Sequence, residues 1–451
     1  KMELLEDKFD ENREYVDSAL PKIRELAEES LADPDRLKGE LDWLFTDEAK
    51  RAGEFGDALG RFDEGFSLLP MLQDEFTKVS LDVRGGAFLG GYFHALRELD
   101  VEKWESLLDE YAQDDELAAW VADLTRRSGL TDRAARRMLR LAKEGKIKVT
   151  DFQLIHVKGI TEPTIIECLS FLLSHSDKRA IYVAIGLFFW YYIYPDPKAP
   201  PPKPIVPEDL TFALLAHKNL FIEKDKKRQF RPIIHEWTEI AIGYIRSHPS
   251  KSLELAKVIL AHFGEEGTIL EGYHPTTQAV IDEIAKKYPQ KVWSIVRGYL
   301  GPPLDDRSHN LRTWLRGEQG FGRKEEPPAL TFFDKKLIYD WIDEDVESRA
   351  WLVATFVPKD LFREEQPYCT GRDLLVRYGI RVDVRRNFTA NYYSEGFSGP
   401  GSSHYQRVKQ KLLDYRTTED DNNVIKWIDE YVAMIEEDIR RHIIDEERTG
   451  F

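Results

Sequence analysis

Between Arg126 and Lys148 the run RRSGLTDRAARRMLRLAKEGKIK sets six arginines and three lysines against Asp132 and Glu144. On a helix, Arg133, Arg136, Arg137 and Arg140 share a face through i, i+3 and i+4 spacing. Guanidinium forks suit phosphate or carboxylate groups, so this run is the candidate site for an anionic ligand or a nucleic acid. The competing reading is a solvated face that pairs with acids elsewhere in the chain. KDKKRQFR at Lys224–Arg231 is read in the same two ways.

Catalytic spacings are weaker. HEWTEI, from His235 to Ile240, resembles the start of a zinc-protease helix, but Glu239 stands where the second histidine is needed. RGEQGFGRK, from Arg316 to Lys324, lacks the GxxxxGK[ST] order of a phosphate-binding loop and reads as a glycine-rich surface loop. In GGAFLGGYFHAL, Gly86 and Gly90 lie four apart and strip bulk from one helix face. They predict the close approach of another helix, with His94 a packed or exposed side chain. Cys168 and Cys369 fit neither a disulfide framework nor a metal knuckle. No metal site or cofactor is expected.

A third group is aromatic. NFTANYYSEGFSGPGSSHYQRVKQKLLDYR, from Asn387 to Arg416, brings Tyr392, Tyr393, Phe397 and Tyr405 ahead of a basic helix. Such rings offer apolar area with a polar tip, suited to seating a loop on the last helices or to gripping a partner. Ser402 or Ser403 is expected to cap a helix starting near His404.

The elements that must carry these groups read as helices. Apolar residues recur at helical spacing over Glu11–Ser30, Asp47–Arg61, Gly85–Leu99, Asp115–Ser128, Thr131–Gly145, Glu162–Ser174 and Asp177–Tyr194. The pattern resumes over Glu236–Ser247, Ser252–Phe263, Thr276–Tyr288, Lys335–Trp341, Val346–Phe356, Ser403–Tyr415 and Asp421–Glu447. Thr131 is the expected N-cap of its helix and Gly145 its stop. The clearest strand candidate is IRVDV at Ile380–Val384. The expected fold class is all-α, a degenerate HEAT-like α-solenoid of stacked helix pairs. Residues 1–194 form an N-terminal body, the proline-rich 195–208 a linker or loop, and 209–451 a C-terminal body.

Composition narrows the setting. The chain has 451 residues, 64 basic and 81 acidic side chains and a formal net charge of -17, a poor match to coating nucleic acid or anionic membrane with its whole surface. The most apolar run, AIYVAIGLFFWYYIY at Ala180–Tyr194, is shorter than the roughly 20 residues a bilayer needs, so a buried helix is expected. The polar start KMELLEDKFDEN reads as no signal peptide, and the two cysteines suit a reducing cytoplasm.

The segment LIYDWIDEDVESRAWLVATFVP, then the aromatic stretch, then NNVIKWIDEYVAMIEEDIRRHIIDEER resembles the end of HEAT-like helical-repeat regions. Such regions lie in bacterial antiphage-defence proteins of the STAND NTPase type. Val424, Trp427 and Ile428 match the second-helix face of a HEAT unit. The resemblance implies a non-catalytic sensor or scaffold that binds a protein partner: an NTPase, a protease or an effector. The chain carries no NTPase motif of its own. Two alternatives remain open: a regulatory client or inhibitor held or cleaved by a defence protease, and a hydrolase whose site is assembled from distant residues.

Overall fold

A computed structural model describes residues 8–9, 15–17, 19–153, 157, 159–194, 206–221, 231–265, 268–269, 275–301, 304–317, 327–358, 370–393 and 400–449. The fold is all-α apart from one two-residue antiparallel pair, β1 (Lys8–Phe9) with β2 (Tyr15–Val16). Two compact units divide the chain, Lys1–His217 and Lys218–Phe451.

The first unit contains α1 (Leu20–Ala32), α2 (Pro34–Leu44), α3 (Ala52–Phe62), α4 (Leu69–Lys78), α5 (Ala87–Leu99) and α6 (Val101–Gln113). It continues with α7 (Val121–Ser128), α8 (Asp132–Lys143), α9 (Glu162–Ser174), α10 (Ala180–Phe188) and α11 (Glu208–Leu215). The second contains α12 (Lys218–Phe221), α13 (Arg231–Ser247), α14 (Ser252–Ala261), α15 (Pro275–Lys287), α16 (Pro289–Leu300) and α17 (Asp306–Arg316). After these come α18 (Lys335–Glu344), α19 (Val346–Ala354), α20 (Thr370–Tyr378), α21 (Val382–Tyr393), α22 (Gly401–Thr418) and α23 (Asn422–Thr449).

Helices two apart in the chain pack on each other. In the first unit α1 lies on α3, α3 on α5, α5 on α7, α2 on α4 and α6 on α8. In the second, α13 lies on α15, α14 on α16, α16 on α18 and α19 on α21. A helix flanked in this way must be apolar over more than one stripe. In α5 the residues Phe88 to Phe93, Ala95 and Leu96 are all buried. The crossing of α3 and α5 is close because it is built on glycine. A β-carbon on Gly91 would stand 1.9 Å from the Gly53 carbonyl oxygen, and one on Gly56 would stand 2.1 Å from that of Phe88. Gly86 and Gly90 face Asp123 and Arg127 of α7, the close approach their spacing predicts.

One residue often joins two helices. Asp33, Asp100, His248, Tyr288 and Asp345 each end one helix and lead into the next helical turn, with φ between -158° and -126° and ψ between 53° and 86°. The three aspartates also cap the helix they open, accepting the amides of Arg36, Lys103 and Ser348. Proline comes directly after Asp33, His248 and Tyr288 and disfavours a helical conformation in the residue before it. α2, α6 and α16 follow such joints and have no counterpart among the helical spacings above, whereas α14 and α19, behind joints of the same kind, do.

Local expectations meet mixed outcomes. Thr131 accepts the Ala134 amide as the N-cap of α8, and Gly145 lies just past the helix at φ 73°. α9 spans Glu162–Ser174 as its spacing predicts. The apolar run forms α10 and a π turn at Phe189–Ile193, with Trp190 and Tyr194 exposed. The first helix begins at Leu20 rather than Glu11, since Tyr15–Val16 is in β2. Ile380–Val384 is not a strand: its end opens α21, and the Arg385 guanidinium bonds the Gly379 and Ile380 carbonyls to fix the turn. Alternation over five residues cannot distinguish a strand from a turn that enters a helix. Most of the proline-rich segment (195–205), residues 318–326 of the glycine-rich loop and residues 224–230 of the second basic run lie outside the described residues. Among the described residues, no helix is long and apolar enough to cross a membrane.

Candidate functional site

α8 does not present its four arginines as one open face. Arg137 turns inward with a side chain 1% exposed, donating to Asp109 Oδ1 at 2.6 Å, to the Glu105 carbonyl at 2.9 Å and to the Glu105 carboxylate. Arg133 donates to Asp109 at 2.6 Å, and Arg136 reaches Glu167 of α9 at 3.1 Å. Burial pushes the Asp109 carboxyl up, but the hydrogen bonds from Arg137 and Arg133 outweigh it and hold the group below its ordinary value. Helix spacing alone places Arg137 with the other three. Tertiary packing removes it, because α6 lies against α8 and supplies Glu105 and Asp109. Arg126 and Arg127 are held by Asp123, and Lys146 by Asp115. Arg140 and Lys143 remain exposed, and no described carboxylate pairs with either.

The aromatic residues converge on the last two helices. Tyr392 and Tyr393 lie on α21, not in a loop. Tyr392 packs edge-on against Trp427 and Tyr431 of α23, with ring centres 5.5 and 5.4 Å apart. Tyr393 stacks on Tyr405, which stacks in turn on His442 at 5.4 Å. Burial, with the hydrogen bond to Tyr393, pushes the Tyr405 hydroxyl well above its usual range. Phe397 lies outside the described residues. α22 begins at Gly401, so neither serine is its N-cap. The Ser402 amide donates to Glu446 of α23 at 2.9 Å and its hydroxyl to the same carboxylate at 2.5 Å. A carboxylate from a neighbouring helix thus satisfies an amide that the first turn leaves open.

A third arrangement went unread in the sequence. His309, Arg312, Thr313 and Arg316 stand at i, i+3, i+4 and i+7 on α17 and line a cleft of about 240 Å³. Thr355 and Phe356, just past α19, form a second wall, and Asn387, Ala390 and Asn391 of α21 a third. Asn391 is buried; its amide donates to the Ala354 and Val357 carbonyls at 3.0 and 2.9 Å, and its oxygen accepts from Arg316 at 3.4 Å. Among the described residues Arg312 donates to Ser308 O at 3.2 Å and Thr355 Oγ1 at 3.4 Å. Among the described residues no carboxylate lines the cleft and none pairs with Arg312. Burial without a counter-charge pushes its guanidinium below the ordinary value. The stripe HNLRTWLR is legible as polar helix spacing, but its cationic character needed the facing helices to be known.

Other titratable groups are engaged locally. His94 Nδ1 lies 2.8 Å from Asp57 Oδ1, and Arg61 bonds the same carboxylate, beside a cleft of about 420 Å³ between α1, α3 and α5. Burial pushes the Cys168 thiol up to about 11, which keeps it protonated and unreactive at neutral pH; Cys369 lies outside the described residues. His235 is an exposed residue of α13. Among the described residues, no group of three histidines, cysteines or carboxylates is placed to hold a metal ion. No protein-family model, curated protein or solved structure matches the chain.

Proposed function

We propose that the chain is a non-catalytic helical-repeat protein that works by binding, as a sensor or scaffold, and that its helices form degenerate HEAT-like pairs. The recurrent one-residue joint, with alternate helices in contact, carries this reading. Repeat arrays are made this way: each helix pair leaves an apolar face that only the next pair can cover. The joint at Asp100 and that at Asp345 even share the sequence Asp-Val-Glu. The C-terminal resemblance supports a role in bacterial antiphage defence, in the cytoplasm, beside an NTPase, protease or effector partner. The partner-facing cations of α8 in this reading are Arg136, Arg140 and Lys143, since Arg137 is consumed internally.

The test is phage challenge of the native host with the gene intact, deleted, or carrying Arg136→Glu, Arg140→Glu and Lys143→Glu together. Deletion is expected to raise phage plating, and the triple variant to lose co-purification with the products of adjacent genes while remaining folded. Unchanged plating after deletion refutes the defence role, and unchanged co-purification refutes the α8 surface.

A further inference from the structure

The cleft between α17, α19 and α21 has a composition that protein packing alone does not explain. A guanidinium drawn even partly out of water gains from a carboxylate partner, because desolvating a charge is costly. This chain follows that rule elsewhere: Arg137 has Glu105 and Asp109, Arg372 has Glu419, and Arg385 has Glu430. Arg312, which is partly buried, has none among the described residues, although acidic side chains outnumber basic ones by 81 to 64. Its two hydrogen bonds, both to neutral oxygens and both longer than 3.0 Å, leave three of its five N–H donors without a partner among the described residues. Arg316 enters the same cleft from the next turn, oriented by Asn391, which is itself fixed by two backbone carbonyls. His309, which is exposed, adds an imidazole to the same lining.

We infer that this cleft is a binding site for the oxyanion group of a small ligand, with the Arg312 fork as its principal donor and Arg316 beside it. Phosphate and carboxylate both match a planar fork that offers parallel N–H bonds. At about 240 Å³ the cleft is below the range of roughly 300–1,000 Å³ typical of drug-sized ligands, so it admits a compact anion or the anionic end of a small metabolite. Phe356 and Ala390 give the walls an apolar portion, which strengthens a charge-assisted bond by limiting water. The cleft lies wholly within the second unit and does not depend on the α8 surface.

Inorganic phosphate and malonate, each titrated into the full chain at matched ionic strength, test the assignment. Thermal midpoint and phosphorus NMR line width are the readouts. Wild-type protein is expected to show saturable binding of at least one anion below about 10 mM, raising its midpoint by mass action. Preference for phosphate identifies a phosphorylated ligand, and preference for malonate a carboxylated one. Arg312→Gln is expected to weaken binding by at least about tenfold without lowering the ligand-free midpoint, since it removes a partly desolvated charge that pairs with no described carboxylate. Arg312→Lys should recover only part of the affinity because the fork is lost. Arg386→Gln, on an exposed neighbouring position, should bind as wild type does. Absence of saturable binding by either anion overturns the inference. So does an Arg312→Gln protein that binds normally, or one whose ligand-free midpoint falls by several degrees, which would mark Arg312 as a structural residue.

Discussion

Gly91→Ala places a methyl group where α5 crosses α3. Its carbon would lie 1.9 Å from the Gly53 carbonyl oxygen, 2.7 Å from the Gly53 carbonyl carbon and 2.9 Å from the Asp57 amide nitrogen. All three are backbone atoms, so no rotamer change relieves the contact. Reaching a tolerable 3.0 Å requires the helices to separate by about 1 Å along that line. A gap of that size forfeits a quarter to a half of the dispersion well of each contact it opens. The seam includes Leu59, Phe88, Tyr92 and Ala95, all completely buried or nearly so. Overpacking typically costs about 1–3 kcal/mol, and a backbone-to-backbone clash belongs at the upper end, about 3 kcal/mol. For a unit of this size that lowers the thermal midpoint by roughly 6–12 °C. Gly298→Ala is the matched control: Gly298 lies exposed within α16 with nothing within 4 Å of the added carbon. The same methyl there should stabilise by about 0.5–1 kcal/mol through helix propensity and a less free unfolded chain. Urea unfolding, with amide exchange in α3 and α5, measures both. If Gly91→Ala unfolds within about 0.5 kcal/mol of wild type, the glycine-built crossing is refuted.

The ion pairs give two further expected outcomes. Arg385→Met should destabilise the second unit by about 2–3 kcal/mol in urea unfolding, because it removes charge-assisted bonds to Glu430 and two backbone carbonyls; a change below about 0.5 kcal/mol contradicts the role. Asp109 has a folded-state pKa below its ordinary value, so its contribution is complete above the unfolded value near 3.9 and is lost as pH falls through the folded one. Asp109→Asn should therefore lower stability at neutral pH and flatten its decline below about pH 4; an unchanged acid slope in midpoint-against-pH curves argues against the linkage.

The candidate sites differ in how far sequence reaches them. Helical spacing predicts a four-arginine face, but Arg137 belongs to the core because its partners lie 28 and 32 residues away on α6. The aromatic stretch is legible as packing material, and Trp427 supplies the surface it meets. Its first tyrosines read as loop in the sequence because α21 starts inside a run that alternates like a strand. The Arg312 cleft was missed altogether. Polar residues at i, i+3, i+4 and i+7 mark a solvated stripe just as well as a site, and only α19 and α21 distinguish the two.

By itself the sequence determined the features that depend on neighbours a few residues apart: the all-α character, the Thr131 cap, the stop at Gly145 and the small face of Gly86 and Gly90. The single-residue joints lie at the edge of that range, since Asp before a helix start is legible but the absence of a loop is not. Tertiary structure alone decided which charges are spent and which remain available. Helical periodicity orients a side chain relative to its own axis, whereas its partner is set by which other helix lies against that axis. Arg137 and Arg312 illustrate the difference: the first meets two carboxylates and becomes core, and the second meets none among the described residues and faces a cleft.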